Sequence, residues 1–341
     1  MMHPIISRTN RRNALKTVMG AGALAFAPTA ALSRDGAKAI FAEPFDLLLE
    51  FLPELNAVAG GHFAKHGLDV EIVNARGTSM AAQQLIAEKA SFTKVGVLDL
   101  IKMQAQQKVP LLSVATIQQS PIFTVVSLKS APVRGPEDMR GKTIGVASLG
   151  GGTENNLDLM LAAAGIPKGT VTRQAVGLSP GNAVLLKQGR IAAFFATIEG
   201  SIALERAKEP VEIWNIGRFA PIPGGAYVVT RDYAKKQADD VVKFMRGMRD
   251  SVNQLTTQSA AEILDRVQAK YEITGEKDRA FRLRAVAEYN ALITGQGKEN
   301  ILRNVPDVWR RSADLIRKAD IADVPAIDSL YTNEFLDAAS R

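Results

Sequence analysis

Residues able to do chemistry are few in this chain, and they gather where apolar runs end. Ser148-Leu149-Gly150-Gly151-Gly152-Thr153 follows a predicted strand and opens a predicted helix. Bare backbone amides and a helix N-terminus therefore converge where a ligand can approach without meeting a Cβ. Gly77-Thr78-Ser79 offers a second such helix start. Facing each other, Thr78, Ser79, Ser148, Gly150, Gly151 and Thr153 would suit a small anion. Gln118-Gln119-Ser120-Pro121 closes another strand, which puts Gln119 and Ser120 at the mouth of a cleft. Asp99 and Glu199 can each receive an amino group of a solute, or can be helix-start acids favoured by the dipole. Trp214, Phe123 and Tyr227 are aromatic candidates for a cleft wall or for core packing, and Arg76, Arg173 and Arg218 are candidate counter-charges.

Several chemistries are excluded by supply. The 341 residues contain no cysteine, so disulfides, thiolate-held clusters, a cysteine nucleophile and a lipid-carrying cysteine are all out of reach. His62 and His66 stand four apart, but on a helix ending beside Lys65 they are expected in solvent or at the helix C-cap, so neither a metal nor a cofactor is expected. Arg140-Gly141-Lys142-Thr143 fails as a phosphate loop, because five residues separate Gly135 from Gly141 and the motif precedes a strand.

The elements that must position these residues alternate between short apolar runs and helical patterns, the mark of α/β architecture with largely parallel sheets. Predicted strands run over 45–51, 68–73, 92–97, 111–117, 122–128, 143–147, 170–176, 191–197 and 226–230, with helices between them and an all-helical end. Ser259 and Glu262 have the spacing of a capping box. Turn-rich breaks at 132–136 and 221–225 divide the chain into an outer lobe (34–128 and 225–341) and an inserted lobe (129–224). Two extended crossings side by side make a hinge, and a hinge between α/β lobes implies a cleft.

Residues 1–33 read as an export leader. Arg11-Arg12 precedes an uncharged stretch rich in Ala and Gly that is too short to span a bilayer. The paired arginines, with Leu15 and Lys16, resemble a twin-arginine signal, and cleavage is placed after Ser33 within a window from Ala30 to Ala39. The leader also accounts for most of the charge of +7. Its four basic residues, taken from 42, leave 38 against 35 acidic ones, so no nucleic acid or other polyanion is called for.

A family resemblance covers nearly all of the chain after the leader. Ala64-Lys65-His66-Gly67-Leu68-Asp69-Val70-Glu71-Ile72, Gln118-Gln119-Ser120-Pro121, the stretch from Gly135-Pro136 to Ile144-Gly145-Val146, Leu185-Leu186-Lys187-Gln188-Gly189-Arg190-Ile191-Ala192-Ala193-Phe194 and Tyr331-Thr332-Asn333-Glu334-Phe335-Leu336 occur in the order seen in substrate-binding proteins of ABC importers for sulfonates, nitrate and pyrimidine precursors of thiamine. Two acids of that pattern are replaced, by Ala192 and Ser91. The resemblance implies a two-lobed periplasmic-binding-protein fold of type II, with a hinge of two crossing strands and the ligand cleft between lobes. It implies a soluble periplasmic monomer that binds a sulfonate, nitrate or related anion, or alternatively an aminopyrimidine, and delivers it to a permease and its ATPase. A ligand sensor or an exported enzyme can share the fold. The leader implies a further partner, the twin-arginine translocase.

Overall fold

The structure, a computed structural model, describes residues 37–341; the leader, with Arg11, Arg12 and the cleavage after Ser33, lies outside the described residues. Among the described residues ten strands form two sheets of five. The first contains β1 (Ala37–Glu43), β2 (Leu68–Asn74), β3 (Phe92–Gly96), β4 (Leu111–Thr116) and β10 (Gly225–Thr230), in the order β2-β1-β3-β10-β4. The second contains β5 (Thr124–Leu128), β6 (Thr143–Val146), β7 (Thr172–Ala175), β8 (Ala193–Ala196) and β9 (Val211–Asn215), in the order β7-β6-β8-β5-β9. Each sheet is parallel except for one strand. β10 runs antiparallel to β3 and β4, and β5 antiparallel to β8 and β9. These two are the strands that the chain enters immediately after crossing from one sheet to the other.

The crossings hold each other. Gly224 donates its amide to the Gln118 carbonyl at 2.8 Å, Ile117 donates to Gly225 at 2.9 Å, and Ile216 donates to Phe123 at 3.2 Å. The Asn215 side chain adds a bond to the Pro121 carbonyl at 2.9 Å. Backbone that would otherwise lie unpaired between two sheets is thereby satisfied.

Below the first sheet, the helix Ala238–Thr257 buries Phe244, whose ring stacks 4.0 Å from that of Phe92 and meets Tyr227 edge-on at 5.5 Å. Gly247 of the same helix is required by close approach, since a Cβ there would stand 2.3 Å from Phe63 Cδ1.

Several expectations change. The run 45–51 is not a strand: the first strand is Ala37–Glu43, Leu49–Phe51 is a 3-10 turn, and Pro53 sits in the opening turn of the helix Leu52–Ala59, where its missing N–H costs nothing. A cleavage site as late as Ala39 would cut into β1. The strand 122–128, assigned to the outer block, pairs inside the second sheet. β9 and the helix Ile198–Arg206 add elements that the sequence pattern left unassigned. Ser259 is an N-cap residue but makes no side-chain capping bond. His62 is buried, with Nε2 2.8 Å from Gln254 Oε1, and His66 pairs with Asp250 at 3.0 Å, so neither stands free in solvent.

Candidate functional site

A cavity of about 320 Å³ opens between the two sheets and is walled by both crossings. The first sheet and its loops supply Phe45, Thr78, Lys94, Asp99 and Gln118. The crossings supply Pro121, Ile122, Phe123 and Ile222 to Gly225, and the helix Gly152–Ala163 supplies Gly152 and Asn156. A volume of this size lies at the small end of organic-ligand sites, and the mix of apolar wall with a few polar groups is typical of them. A larger, polar groove of about 610 Å³ beside the helix Ala238–Thr257 shares no residue with the cleft.

Among the lining residues there is one acid, Asp99, and one cation, Lys94. Asp99 stands in the first turn of the helix Val97–Gln107, and a Cβ on Gly96 would lie 3.0 Å from its Oδ2. Burial pushes the Asp99 carboxyl above its ordinary range, opposed by Lys102. Lys94 is nearly buried on β3. Its Nζ donates to the Glu50 carbonyl at 3.0 Å, lies 4.0 Å from the centre of the Phe51 ring and 3.6 Å from Glu54 Oε1.

Behind Lys94 are Glu43 and Glu54, fully buried, with carboxylate oxygens that accept no hydrogen bond. Burial raises both, Glu43 well above its ordinary range with repulsion from Glu54 adding to it; Lys94 pulls Glu54 back down. Tyr227, also fully buried, has its phenol pushed up by burial and by Glu54. Lys94 and two carboxyls, both shifted toward the protonated form, thus share a buried space under the cleft floor.

Of the predicted site residues, the cavity brings together Thr78 and Asp99 only. Ser79 is exposed outside it. The parity of the QQSP segment is reversed: Gln118 faces the cavity, while Gln119 is buried and donates Nε2 to the carbonyls of Thr116, Asn300 and Arg303. Ser120 packs toward Gly295, whose Cβ, if present, would stand 2.4 Å from Ser120 Oγ.

Two amides of the glycine loop, those of Gly150 and Gly151, are taken up by the chain itself. The Glu154 carboxylate accepts from Gly150 N at 2.5 Å, Thr153 Oγ1 accepts from Ala147 N at 2.8 Å, and Gly151 N donates to the Ser148 carbonyl at 3.3 Å. The chain's own Glu154 carboxylate takes one of the amides foreseen for an anion, that of Gly150. Ser148 is exposed, and only the neighbouring Gly152 reaches the cavity.

Glu199 accepts from the Tyr289 hydroxyl at 2.9 Å and is raised by burial, but it lies between two helices and outside the cavity. Of the three aromatic candidates Phe123 lines the cleft, whereas Trp214 donates Nε1 to the Val133 carbonyl in the core and Tyr227 is buried. Arg173 is tied to Asp158 and Glu154, Arg218 lies over the Phe219 ring, and Arg76 is exposed; none lines the cavity. Lys94 and Phe45 were not foreseen. The one signal for Lys94 is a cation inside an otherwise apolar strand.

Two five-stranded sheets, each with one antiparallel strand contributed across a crossing and with a cleft between them, define a periplasmic-binding-protein fold. The chain belongs to the NMT1/THI5-like family, whose pattern matches residues 49–260. The riboflavin-binding protein RibY of Chloroflexus aurantiacus is 22% identical over 86% of this chain and 84% of its own. A protein of Haemophilus influenzae described as a putative thiamine biosynthesis protein is 29% identical over 106 residues, only 33% of its own length. The periplasmic aliphatic sulphonate binding protein SsuA of Escherichia coli superposes with a TM-score of 0.66 at 14% identity, covering 88% of this chain and 99% of that one. Among the described residues no helix is long and apolar enough to cross a membrane, and no group of three or more His, Cys, Asp or Glu is placed to hold a metal.

Proposed function

We propose that this chain is the solute-binding component of an ABC-type importer, exported through the twin-arginine translocase and periplasmic after loss of residues 1–33. It captures one small solute in the cleft and hands it, closed, to a permease and its ATPase. The lobes meet inside the crossings 117–123 and 216–224, so β5 moves with the second lobe. Closure is a population shift: a solute that touches both lobes stabilises the closed state by its differential affinity. The observation that carries this reading is the cavity walled by both sheets and both crossings. The role is capture and release, by a monomer.

For the solute, the cleft favours a nitrogen heterocycle with a donor group, such as an aminopyrimidine, over the sulfonate or nitrate placed first by sequence. An anion would meet Asp99, and the one lining cation already faces Glu54. A planar donor would find Asp99, Gln118, Thr78 and Asn156 for its polar edge and Phe45 and Phe123 for its faces. The names of the two curated relatives concern riboflavin and thiamine, which agrees with this class. A thermal-shift comparison of aminopyrimidines, ethanesulfonate and nitrate tests it. A true ligand at 100 times its Kd stabilises by about 2.7 kcal/mol. Stabilisation by ethanesulfonate or nitrate alone sinks the heterocycle class, and a chromophore that stays covalently attached through denaturation sinks the transport role.

A further inference from the structure

We infer that Glu54 is a specificity-determining residue: by holding the Lys94 ammonium against the cleft floor it withholds the cleft's one cation from the solute, and its loss would turn the site toward anions. The inference rests on the cleft being the solute site.

The geometry is specific. Lys94 lines the cavity, yet its ammonium is engaged by three groups, none of which lines that cavity: the Glu50 carbonyl at 3.0 Å, the Phe51 ring at 4.0 Å and Glu54 at 3.6 Å. Glu54 is 1% exposed, and the Lys94 charge is the largest influence favouring its ionised form, ahead of the Tyr227 hydroxyl beside it. Glu43, equally buried, is a second carboxyl close enough to Lys94 to feel its charge. The groups that act on this unit are Glu43 from β1, Glu50 and Glu54 from the turn and helix that follow, Lys94 from β3 and Tyr227 from β10. Among the described residues no arginine lines the cavity to perform the same service for an anion. Replacing Glu54 by a neutral isostere leaves an ammonium whose best remaining partner is a negative solute in the cleft. Where Glu43 would recapture that ammonium, replacing both acids prevents it.

Isothermal titration of ethanesulfonate and of nitrate into the purified mature protein tests the inference. Wild type is expected to bind both weakly. Glu54→Gln, or Glu43→Gln/Glu54→Gln should the single variant be poorly folded, is expected to gain at least about tenfold in affinity, the worth of one hydrogen bond to a charged group. Adding Lys94→Met should remove the gain. Folded Glu54→Gln and Glu43→Gln/Glu54→Gln proteins with wild-type anion affinity overturn the inference. So does tight anion binding by the wild type, which needs no variant at all. A wild type that takes no heterocycle, combined with a Glu54→Gln gain, removes the solute class proposed above and leaves the role of Glu54 standing.

Discussion

Lys94 Nζ and Glu54 Oε1 lie 3.6 Å apart with side chains 6% and 1% exposed, forming a buried ion pair directly beneath the cleft. Removing one member strands the other in a low dielectric. Lys94→Met should therefore lower unfolding free energy by about 3 kcal/mol or more, and Lys94→Met/Glu54→Gln should cost less than the single change. Urea denaturation of the three proteins measures this. Additive costs would mean that the two groups do not compensate each other.

The buried acids make stability depend on pH in a definite direction. Glu43 is raised well above its ordinary range by burial, then by Glu54, and Glu54, Asp99 and Glu199 are raised by burial as well. A carboxyl raised in the folded state holds a proton that the unfolded chain has already lost. Its contribution is complete below the unfolded value and fades as pH rises through the folded one. From about pH 4 upward, stability should fall by as much as about 1.4 kcal/mol per pH unit for each such proton. Glu43→Gln, which copies the protonated state, should flatten this decline. Melting curves from pH 4 to 8 give the slope, and an unchanged slope in the variant would clear Glu43 of the role.

Asp99→Asn separates the solute classes from the other side. The amide keeps the shape and an accepting oxygen but loses the charge. Affinity for an aminopyrimidine should drop about tenfold or more, because a bond to a charged acceptor is lost. Without solute, the variant should be at least as stable as wild type, since a desolvated carboxyl has been removed. Titration calorimetry and a solute-free melt read both effects; retained affinity would place the solute elsewhere in the cavity.

Phe45 is 47% exposed at the cavity rim. Phe45→Ala should leave the solute-free melt nearly unchanged and weaken solute binding. Competitive titration checks it, and a large loss of stability would mark Phe45 as a packing residue instead.

Glu199→Ala makes the converse case. Its carboxylate accepts from Tyr289 outside the cavity, so the variant should lose about 1–3 kcal/mol of stability and keep wild-type affinity for solute. A selective loss of affinity would restore Glu199 to the site.

Architecture was far more legible than the cleft. Apolar runs from Leu68 to Thr230 located eight of the nine strands there within a few residues and missed only β9, because a buried strand leaves a continuous apolar trace. The stretch 45–51 misled for the same reason: FDLLLEF is as apolar as a strand, yet tertiary burial and Pro53 fold it as a turn into a helix. Site residues failed on finer grounds. Gln118 and Gln119 differ by one position, and a one-residue slip at a strand end exchanges cavity for core. The glycine loop shows amides in sequence, but not that Glu154, four residues beyond Gly150, folds back to fill one. Glu43, Glu54 and Lys94 are ordinary surface residue types. Only the pairing of β1 with β3 and the helix after Pro53 bring them under one floor.

The paired crossings have a consequence for how such a protein can change over time. Gln118, Pro121, Phe123 and Gly224 belong to the straps that join the sheets and, equally, to the wall that a solute touches. Grip and bending therefore share the same atoms. A substitution that reshapes the wall for a new cargo also retunes how readily the molecule shuts, so a descendant that acquires a different cargo inherits a different resting posture with it, and must restore its timing through residues elsewhere.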